Sequence, residues 1–310
     1  MKAIRLHSRS GPEGLVYEDA PQPRPGEGEA LVRVYATSVM WQEPTWPETW
    51  KTPTGLDRHL PIPCHDLCGV VAEVGTGVTG VAVGEAVYAL TESWRDGAAA
   101  EYTLARATGL APQPRSLTYV QAAAIPLVGL TAWQALFDHA GLSAGQSILI
   151  HGAAGGVGSM TVQLARWAGA HVIGTASARH RDFLRELGAN EVIDYTSTRF
   201  EDVLHDIDIV LDTIGGDTME RSWSVLKKGG LLVSVFSPPS QEQAKAHGVR
   251  AVFFIVEPDR TELIQIGNLI DSGHLRPVIE TVYPLSEAPQ AFERALSGHT
   301  RGKIILQVVR

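Results

Sequence analysis

Apolar and polar positions along the chain follow two patterns, and the change between them predicts two kinds of structure. Up to Ala122 the chain favours short strands, because apolar and β-branched residues alternate or run together in EALVRVYATSV and GVVAEVG, with glycines and prolines between such runs. From Gln146 onward, apolar runs of strand length alternate with amphipathic segments of helical period. The pattern predicts a β-rich region followed by a doubly wound α/β region.

The predicted α/β region contains five near-continuous apolar runs. They are SILIHG, HVIGTAS, EVIDY, DIVLDTIG and GLLVSVF. Strands of this kind are buried on both faces, which is typical of a parallel sheet covered by helices. Helices are predicted on GVGSMTVQLARWAG, ARHRDFLRELG and DTMERSWSVLK, with a short one on FEDVL. A sixth apolar run, VRAVFFIVE, would extend the sheet.

Further elements flank this sheet. A helix is predicted on AAAIPLVGLTAWQALFDHAG before it, and two helices and a final strand, GKIILQVV, after it. The first of the later helices opens with Asp259 and Glu262 at capping-box spacing. We expect the tail to return to the first region, which gives a Rossmann sheet inserted in a split β-rich domain. The predicted domains are residues 1–122, 123–258 and 259–310.

Composition narrows the possible functions. The 310 residues are 44% hydrophobic and 19% charged, as in a soluble globular protein, and the net charge of −8 argues against a general nucleic-acid binder. The apolar runs are too short to predict a membrane span, and the first residues lack the apolar stretch of a secretory signal. Two cysteines exclude a disulfide framework and favour a reducing compartment, for which we expect the cytoplasm.

A glycine-rich turn follows the first strand of the α/β region and opens a helix. Against the dinucleotide fingerprint G-x-G-x-x-G it reads Ala153-x-Gly155-x-x-Gly158. The second glycine lets the backbone approach a diphosphate, and the third lets the helix pack on the strand. We therefore predict a dinucleotide site, the alternative being a tight turn without a ligand. The residues predicted to hold the diphosphate are Ala154, Gly155, Gly156, Val157 and Gly158.

The end of the next strand indicates which dinucleotide is bound. An NAD site usually has an acid there, but Ser177 occupies the position and no acid precedes Asp182. Arg179 follows, and a guanidinium group beside a hydroxyl suits the extra phosphate of NADPH. We predict that the coenzyme is NADPH and that Ser177 and Arg179 bind its extra phosphate. Tyr195 is predicted to cover the adenosine half. The alternative is that the arginine lies on a solvated helix face.

Six stretches, in this order along nearly the whole chain, resemble the medium-chain dehydrogenase/reductase superfamily, in particular its zinc-free branch of quinone oxidoreductases and enone reductases. They are HDLCGVVAEVGTGVTGVAVGEAVYAL, AAAIPLVGLTAWQAL, HGAAGGVGSMTVQLARWAGAHVIGTAS, LGANEVIDYT, VLDTIGG and GKIILQV. The resemblance implies a split GroES-like domain, a Rossmann domain, NADPH as cofactor, and often a homodimer paired through a strand such as VRAVFFIV. The coenzyme contacts that it implies are Thr131, Ile214, Gly215, Phe236, Phe254, Ile255, Val256, Arg301 and Lys303.

The segment PCHDLC contains four side chains of metal-ligand type, Cys64, His65, Asp66 and Cys68. In zinc-dependent relatives the ligands come from three separate places, and of these only His65 is matched. The first place falls on Met40 and the third contains no cysteine, histidine or acid. We therefore predict no metal, because a catalytic zinc needs three protein ligands. A local site made by the four residues themselves is the alternative.

The same likeness points to a substrate pocket and to a proton donor. Zinc-free relatives carry Asn where this chain has Met40, and the following segment is rich in tryptophan, which predicts an apolar pocket for a flat carbonyl substrate. Its predicted lining is Met40, Trp41, Trp46 and Trp50. The proton donor would be His65, Tyr88 or a water molecule. Loss of the Asn leaves open an NADPH-binding protein with little or no turnover, in a structural or sensor role.

Overall fold

The computed structural model describes residues 1–309, which form two compact units. The first, called here the split unit, comprises residues 1–127, 258–273 and 277–309. The second, called the central unit, comprises residues 128–257 and 274–276. The sequence places the boundaries after residues 122 and 258, and it does not predict that 274–276 pack with the central unit.

Fifteen β-strands and nine α-helices occur within residues 1–309. The strands are β1 (Lys2–Leu6), β2 (Leu15–Asp19), β3 (Glu29–Ser38), β4 (Asp66–Val74), β5 (Ala86–Leu90), β6 (Tyr102–Arg106), β7 (Ala111–Pro112), β8 (Ser147–Ile150), β9 (His171–Ala176), β10 (Glu191–Asp194), β11 (Ile207–Asp212), β12 (Leu226–Ser234), β13 (Arg250–Phe253), β14 (Ile279–Pro284) and β15 (Lys303–Gln307). The helices are α1 (Pro47–Trp50), α2 (Tyr119–Ala122), α3 (Pro126–Trp133), α4 (Gly156–Trp167), α5 (Arg181–Leu187), α6 (Gly216–Ser222), α7 (Gln241–His247), α8 (Arg260–Asp271) and α9 (Ala288–Leu296).

The central unit contains a six-stranded sheet in the order β10-β9-β8-β11-β12-β13, and every neighbouring pair is parallel. Its apolar runs are buried; Leu149, Val210 and Leu232, for example, are inaccessible to solvent. The sheet includes the sixth apolar run as β13. The predicted doubly wound parallel sheet is therefore confirmed, because strands buried on both faces read as continuous apolar runs.

The split unit contains a seven-stranded sheet in the order β14-β15-β3-β4-β5-β7, with β6 also paired to β3, and a separate antiparallel pair, β1 and β2. The last strand returns to the beginning of the chain, since Ile305 pairs with Ser38 of β3. This pairing confirms the predicted fold class, a Rossmann sheet inserted in a split β-rich domain.

Two helical predictions differ from the structure in detail, and one helix was not predicted. The long helix predicted before the sheet is α3, which passes into a π-helical stretch, Gln134–His139. The segment FEDVL forms only a 3₁₀ turn, Phe200–Asp202, and α7 was not predicted at all. The cap predicted at Asp259 is confirmed, because its carboxylate accepts a hydrogen bond of 2.9 Å from the N–H of Glu262.

One helical stretch of the described residues, Tyr119–His139, is long and apolar enough to cross a membrane by length and composition alone. The apolar runs of the sequence did not indicate such a stretch. Because 78% of its most apolar window is buried within the protein, the stretch has the burial expected of a core helix.

Candidate cofactor edge and buried polar cluster

The turn between β8 and α4 has the shape of a diphosphate cradle. Gly152 has φ +66, in the left-handed region, and a Cβ on it would lie 2.5 Å from the Thr213 hydroxyl oxygen. A Cβ on Gly158 would lie 2.2 Å from the carbonyl oxygen of Gly152, so α4 packs directly against the turn. Gly155 is the N-cap of α4, and no side chain of the described residues caps it. The first N–H groups of α4 and its dipole thus suit an anion.

The residues predicted to contact the coenzyme share one edge of the central sheet, with the exceptions of Thr131, Arg301 and Lys303. They follow the carboxyl ends of strands that all run parallel. By strand, they are 154–158 after β8, Ser177 and Arg179 after β9, Tyr195 after β10, Ile214 and Gly215 after β11, Phe236 after β12, and 254–256 after β13. The chain passes from edge strand β10 to β11 beside β8, so the glycine turn lies at the topological switch point, where such sheets bind ligands.

Large apolar side chains of this edge face solvent. The exposed fractions are 52% for Tyr195, 48% for Ile214, 55% for Phe236 and 75% for Ile255. Exposed apolar clusters of this kind mark binding surfaces. The edge therefore fits a dinucleotide, whose diphosphate needs amide donors and whose rings need apolar contacts.

Asp212, the last residue of β11, holds the turn that presents two of these residues. Its carboxylate is fully buried and accepts hydrogen bonds from the N–H groups of Ile214 (3.1 Å) and Gly215 (3.0 Å). Ser234, at the end of β12, donates a further hydrogen bond of 3.3 Å. Asp212 was not among the predicted site residues, although an acid between an apolar strand and two glycines is a signal of such a turn.

The four side chains of the PCHDLC segment point to four different places in the split unit. Cys64 lies in the apolar core, and its backbone has φ +70, a conformation that favours glycine. The His65 Nδ1 lies 3.0 Å from the Thr91 hydroxyl. Asp66 accepts hydrogen bonds from Ser38 and from the Leu127 N–H. The Cys68 thiol faces the Gln113 side chain at 3.6 Å.

His65 is neutral in the folded protein. Burial, together with the positive charge of Arg58, lowers its pKa to about 3. The Thr91 hydroxyl is placed to donate to the His65 carbonyl oxygen (3.2 Å), which allows it to accept from Nδ1–H (3.0 Å). We infer that Nε2 is the unprotonated nitrogen, and that His65 accepts rather than donates a proton.

Two further predicted site residues have partners that change their roles. The Tyr88 side chain is fully buried and its hydroxyl donates to the carbonyl oxygen of Leu263, so Tyr88 is corrected from proton donor to structural residue. Burial also raises the pKa of Tyr88. The Lys303 ammonium lies 3.2 Å from the carbonyl oxygen of Val39 and 3.5 Å from Asp66, inside a buried cluster rather than at an exposed coenzyme surface.

The other predicted residues have the following positions. Thr131 is buried in α3, and Arg301 is exposed, with its backbone N–H bonded to Glu280 at 2.7 Å. Trp41 is 41% exposed, whereas Met40, Trp46 and Trp50 are partly buried. The Trp50 indole N–H donates to the carbonyl oxygen of Pro44 (2.8 Å), so this ring is held by its own segment.

A cavity of about 470 Å³ lies elsewhere in the split unit, and none of the predicted site residues lines it. Three arginines on its wall, Arg5, Arg58 and Arg95, are each within 4 Å of a carboxylate. Because these guanidinium charges are already compensated, we do not assign the coenzyme or the substrate to this cavity.

Comparison with known proteins places the chain in a family. Family models match residues 26–115, as an alcohol dehydrogenase GroES-like domain, and residues 187–306, as a zinc-binding dehydrogenase. A probable zinc-binding oxidoreductase, mitochondrial, of Arthroderma benhamiae is 33% identical over 95% of this chain and 93% of its own. A chloroplast envelope quinone oxidoreductase homolog of Arabidopsis thaliana is 32% identical over 99% and 98%. The structure of the quinone oxidoreductase from Coxiella burnetii is 33% identical, with a TM-score of 0.91 over 99% of both chains.

The chain belongs to the medium-chain dehydrogenase/reductase superfamily, in its quinone oxidoreductase branch. The resemblance noted in the sequence is thereby confirmed. The protein is an oxidoreductase of a family that uses a nicotinamide coenzyme, and the sheet edge described above fits that coenzyme.

The expected purely cytoplasmic location of this oxidoreductase is wrong. The fungal relative is named mitochondrial, and the plant relative is named for the chloroplast envelope. The inference failed because it rested on the two cysteines, which are free and buried. Free thiols indicate only that the protein needs no disulfide, and this does not distinguish the cytoplasm from other reducing compartments.

A zinc ion, which the family description implies, does not fit the residues present. Among residues 1–309, no group of three or more histidine, cysteine, aspartate or glutamate side chains is placed to hold a metal ion. Cys64, His65 and Asp66 are adjacent in sequence, but their side chains are directed to the core, to Thr91 and to Lys303, respectively. Zinc requires its ligands to converge within about 2.3 Å of one point.

Glu43 is a buried acid beside Cys64 and Lys303, and it was not among the predicted site residues. It is 1% exposed, and its carboxyl group accepts a hydrogen bond of 2.6 Å from the Cys64 N–H. Burial raises the pKa of Glu43 to about 8, although that hydrogen bond and the charge of Lys303 favour the ionised form. Glu43 is therefore mostly protonated at neutral pH and holds the strained Cys64 backbone in place.

This protonation makes the stability of the dehydrogenase/reductase depend on pH. Between pH 4.5 and about 8 the folded protein keeps the Glu43 proton and the unfolded chain loses it, so the contribution of Glu43 falls as pH rises through this window. Glu43→Gln, which cannot ionise, should gain about 2 kcal/mol relative to wild type across the window, because wild-type unfolding is favoured by a proton that only the unfolded chain releases. Chemical denaturation at several pH values measures the difference.

The matched control is Glu48→Gln, which changes an exposed glutamate of the same segment. Its difference from wild type should stay constant with pH. A constant difference for Glu43→Gln as well would show that Glu43 is not protonated in the folded protein.

Proposed function

We propose that the protein reduces a quinone or an α,β-unsaturated carbonyl compound with NADPH and without a metal ion. The observation that carries this proposal is the setting of His65: its ring contacts Thr91, and no group of three or more histidine, cysteine, aspartate or glutamate side chains among residues 1–309 is placed to hold a metal ion with it. A catalytic zinc needs three protein ligands that converge on one ion. The relatives named as quinone oxidoreductases support the same substrate class.

The preference for NADPH is supported by the loop after β9. Ser177 begins a 3₁₀ turn, Ala178–His180, and Arg179 is exposed on it. Arginine recognises a phosphate group through charge-assisted hydrogen bonds, whereas an acid at this position would repel it. We therefore propose that Ser177 and Arg179 bind the phosphate on the adenosine ribose.

The coenzyme, when bound, supplies the hydride, and the protein positions it and excludes water. In this proposal the N–H groups of 155–158 hold the diphosphate, and Tyr195 covers the adenosine. Thr131 and residues 254–256 contact the nicotinamide end, and Ile214 and Phe236 shield it from solvent.

The proton that completes the reduction would come from water in this scheme. His65 is neutral with Nδ1–H committed to Thr91, and the Tyr88 hydroxyl is committed to Leu263. Neither side chain offers a proton to a substrate oxygen. A solvent molecule is the remaining donor, and hydride transfer leaves a quinolate or enolate anion that water protonates readily.

Met40, Trp41 and Trp46 are the proposed substrate contacts, in a segment that suits a flat, apolar carbonyl compound.

A homodimer is proposed through β13, because this strand lies at the edge of the central sheet with β12 as its partner. Sheet edges of this kind are usually covered or paired.

The proposal predicts turnover that survives metal removal. Purified protein should oxidise NADPH in the presence of p-benzoquinone or methyl vinyl ketone, and dialysis against EDTA should not reduce the rate. Absorbance of NADPH measures the reaction, and reactions without an acceptor are the control. Loss of activity on dialysis with recovery on adding zinc would contradict the metal-free mechanism. Calorimetric binding of NADPH without turnover of any acceptor would favour the alternative, a binding protein.

A further inference from the structure

Asp194 lies beside Ser177 and Arg179, the residues proposed to bind the phosphate of NADPH. Spacing along the sequence does not reveal this acid. Asp194 is the last residue of β10, and in the parallel register it pairs with Ala176, the last residue of β9. The Asp194 carboxylate lies close enough to the backbone N–H of Ala178, between Ser177 and Arg179, for that N–H to favour its ionised form. A carboxylate thus reaches the end of β9 from the neighbouring strand.

The position of this carboxylate is fixed by its own turn. One oxygen of Asp194 accepts hydrogen bonds from the Thr196 hydroxyl (2.7 Å) and the Thr196 N–H (3.1 Å). The Asp194 carbonyl oxygen accepts from the N–H groups of Ser197 (3.2 Å) and Thr198 (2.9 Å). The hydrogen bonds from Thr196 to the carboxylate lower the pKa of Asp194, so the carboxylate is ionised at neutral pH.

We propose that Asp194 is a positioning residue that sets the coenzyme preference. It holds the Ser177–Arg179 loop through Ala178, and its negative charge weakens binding of the phosphate that distinguishes NADPH from NADH. This inference rests on the proposed function. The loop therefore combines a cation that attracts the phosphate with an anion that repels it, and the protein discriminates less between the two coenzymes than Arg179 alone would allow.

Asp194→Asn tests the proposal, because it removes the charge and keeps an oxygen that can accept from Thr196. The Michaelis constant for NADPH should fall about threefold to tenfold, as expected for removing one charge near a phosphate in solvent. The constant for NADH and both kcat values should change less than about twofold. The decrease in the Michaelis constant for NADPH caused by the substitution should become smaller as salt is added, since ions screen exposed charges.

The matched control is Glu191→Gln, which removes a charge at the other end of the same strand and should leave the NADPH-to-NADH ratio unchanged. Arg179→Ala should change the ratio in the opposite direction to Asp194→Asn. If Asp194→Asn alters both coenzymes equally, or neither, Asp194 has a structural role only and the proposal is overturned. Absence of binding of both coenzymes to wild type, measured by calorimetry, would instead overturn the proposed function and this inference with it.

Discussion

Lys303→Met should lower the free energy of unfolding of the split unit by about 3–5 kcal/mol, measured by chemical denaturation. The Lys303 and Asp66 side chains are only 7% and 2% exposed, and their charged groups lie 3.5 Å apart. Methionine fills the space of the lysine stem but removes its charge. Asp66 then remains buried with hydrogen bonds from Ser38 and the Leu127 N–H, and without a cation.

The double variant Lys303→Met with Asp66→Asn distinguishes charge from packing. It should recover much of the lost stability, because removing both charges of a buried pair costs far less than removing one. Lys51→Met, on an exposed lysine, is the matched control and should change stability by less than about 0.5 kcal/mol. Equal instability of the single and double variants would show that the buried pair does not determine the effect.

The central unit was predictable from sequence because its signals are local. Apolar runs of strand length that alternate with amphipathic segments indicate a parallel sheet. This signal does not depend on the sequence elsewhere in the chain. Residues that follow the carboxyl ends of these strands then share one edge, so the positions of Ser177, Tyr195 and Phe236 at that edge follow from the topology alone. The glycine turn is also contained within a few residues.

The buried cluster of the split unit was not predictable, because its contacts join distant parts of the chain. Glu43 meets Cys64 across 21 residues, and Tyr88 meets Leu263 across 175. Side-chain types alone do not reveal such pairs. Adjacency in PCHDLC even misleads, since the left-handed conformation of Cys64 and the extended backbone of β4 turn successive side chains in different directions. Asp194 illustrates the same limit, because strand register, and not spacing along the chain, brings it to Ala178.

Gly158→Ala should weaken coenzyme binding about a hundredfold and destabilise the central unit by about 1–3 kcal/mol. The added Cβ would lie 2.2 Å from the Gly152 carbonyl oxygen and 2.7 Å from the Ala153 Cα, both backbone atoms that cannot rotate away. Helix α4 must therefore shift from the turn, which displaces the N–H groups proposed to hold the diphosphate. Calorimetry with NADPH and thermal denaturation measure the two effects.

Gly155→Ala separates these effects, because its Cβ would lie 3.3 Å from the nearest atom, the Gly152 carbonyl oxygen, and its backbone has φ −72. This variant should keep the fold while its methyl group obstructs the approach of the diphosphate. Gly109→Ala, whose Cβ would meet nothing within 4 Å, is the control and should bind NADPH as wild type does. If Gly158→Ala melts at the wild-type temperature and binds NADPH with wild-type affinity, α4 does not depend on this close packing. The diphosphate site would then have to lie elsewhere.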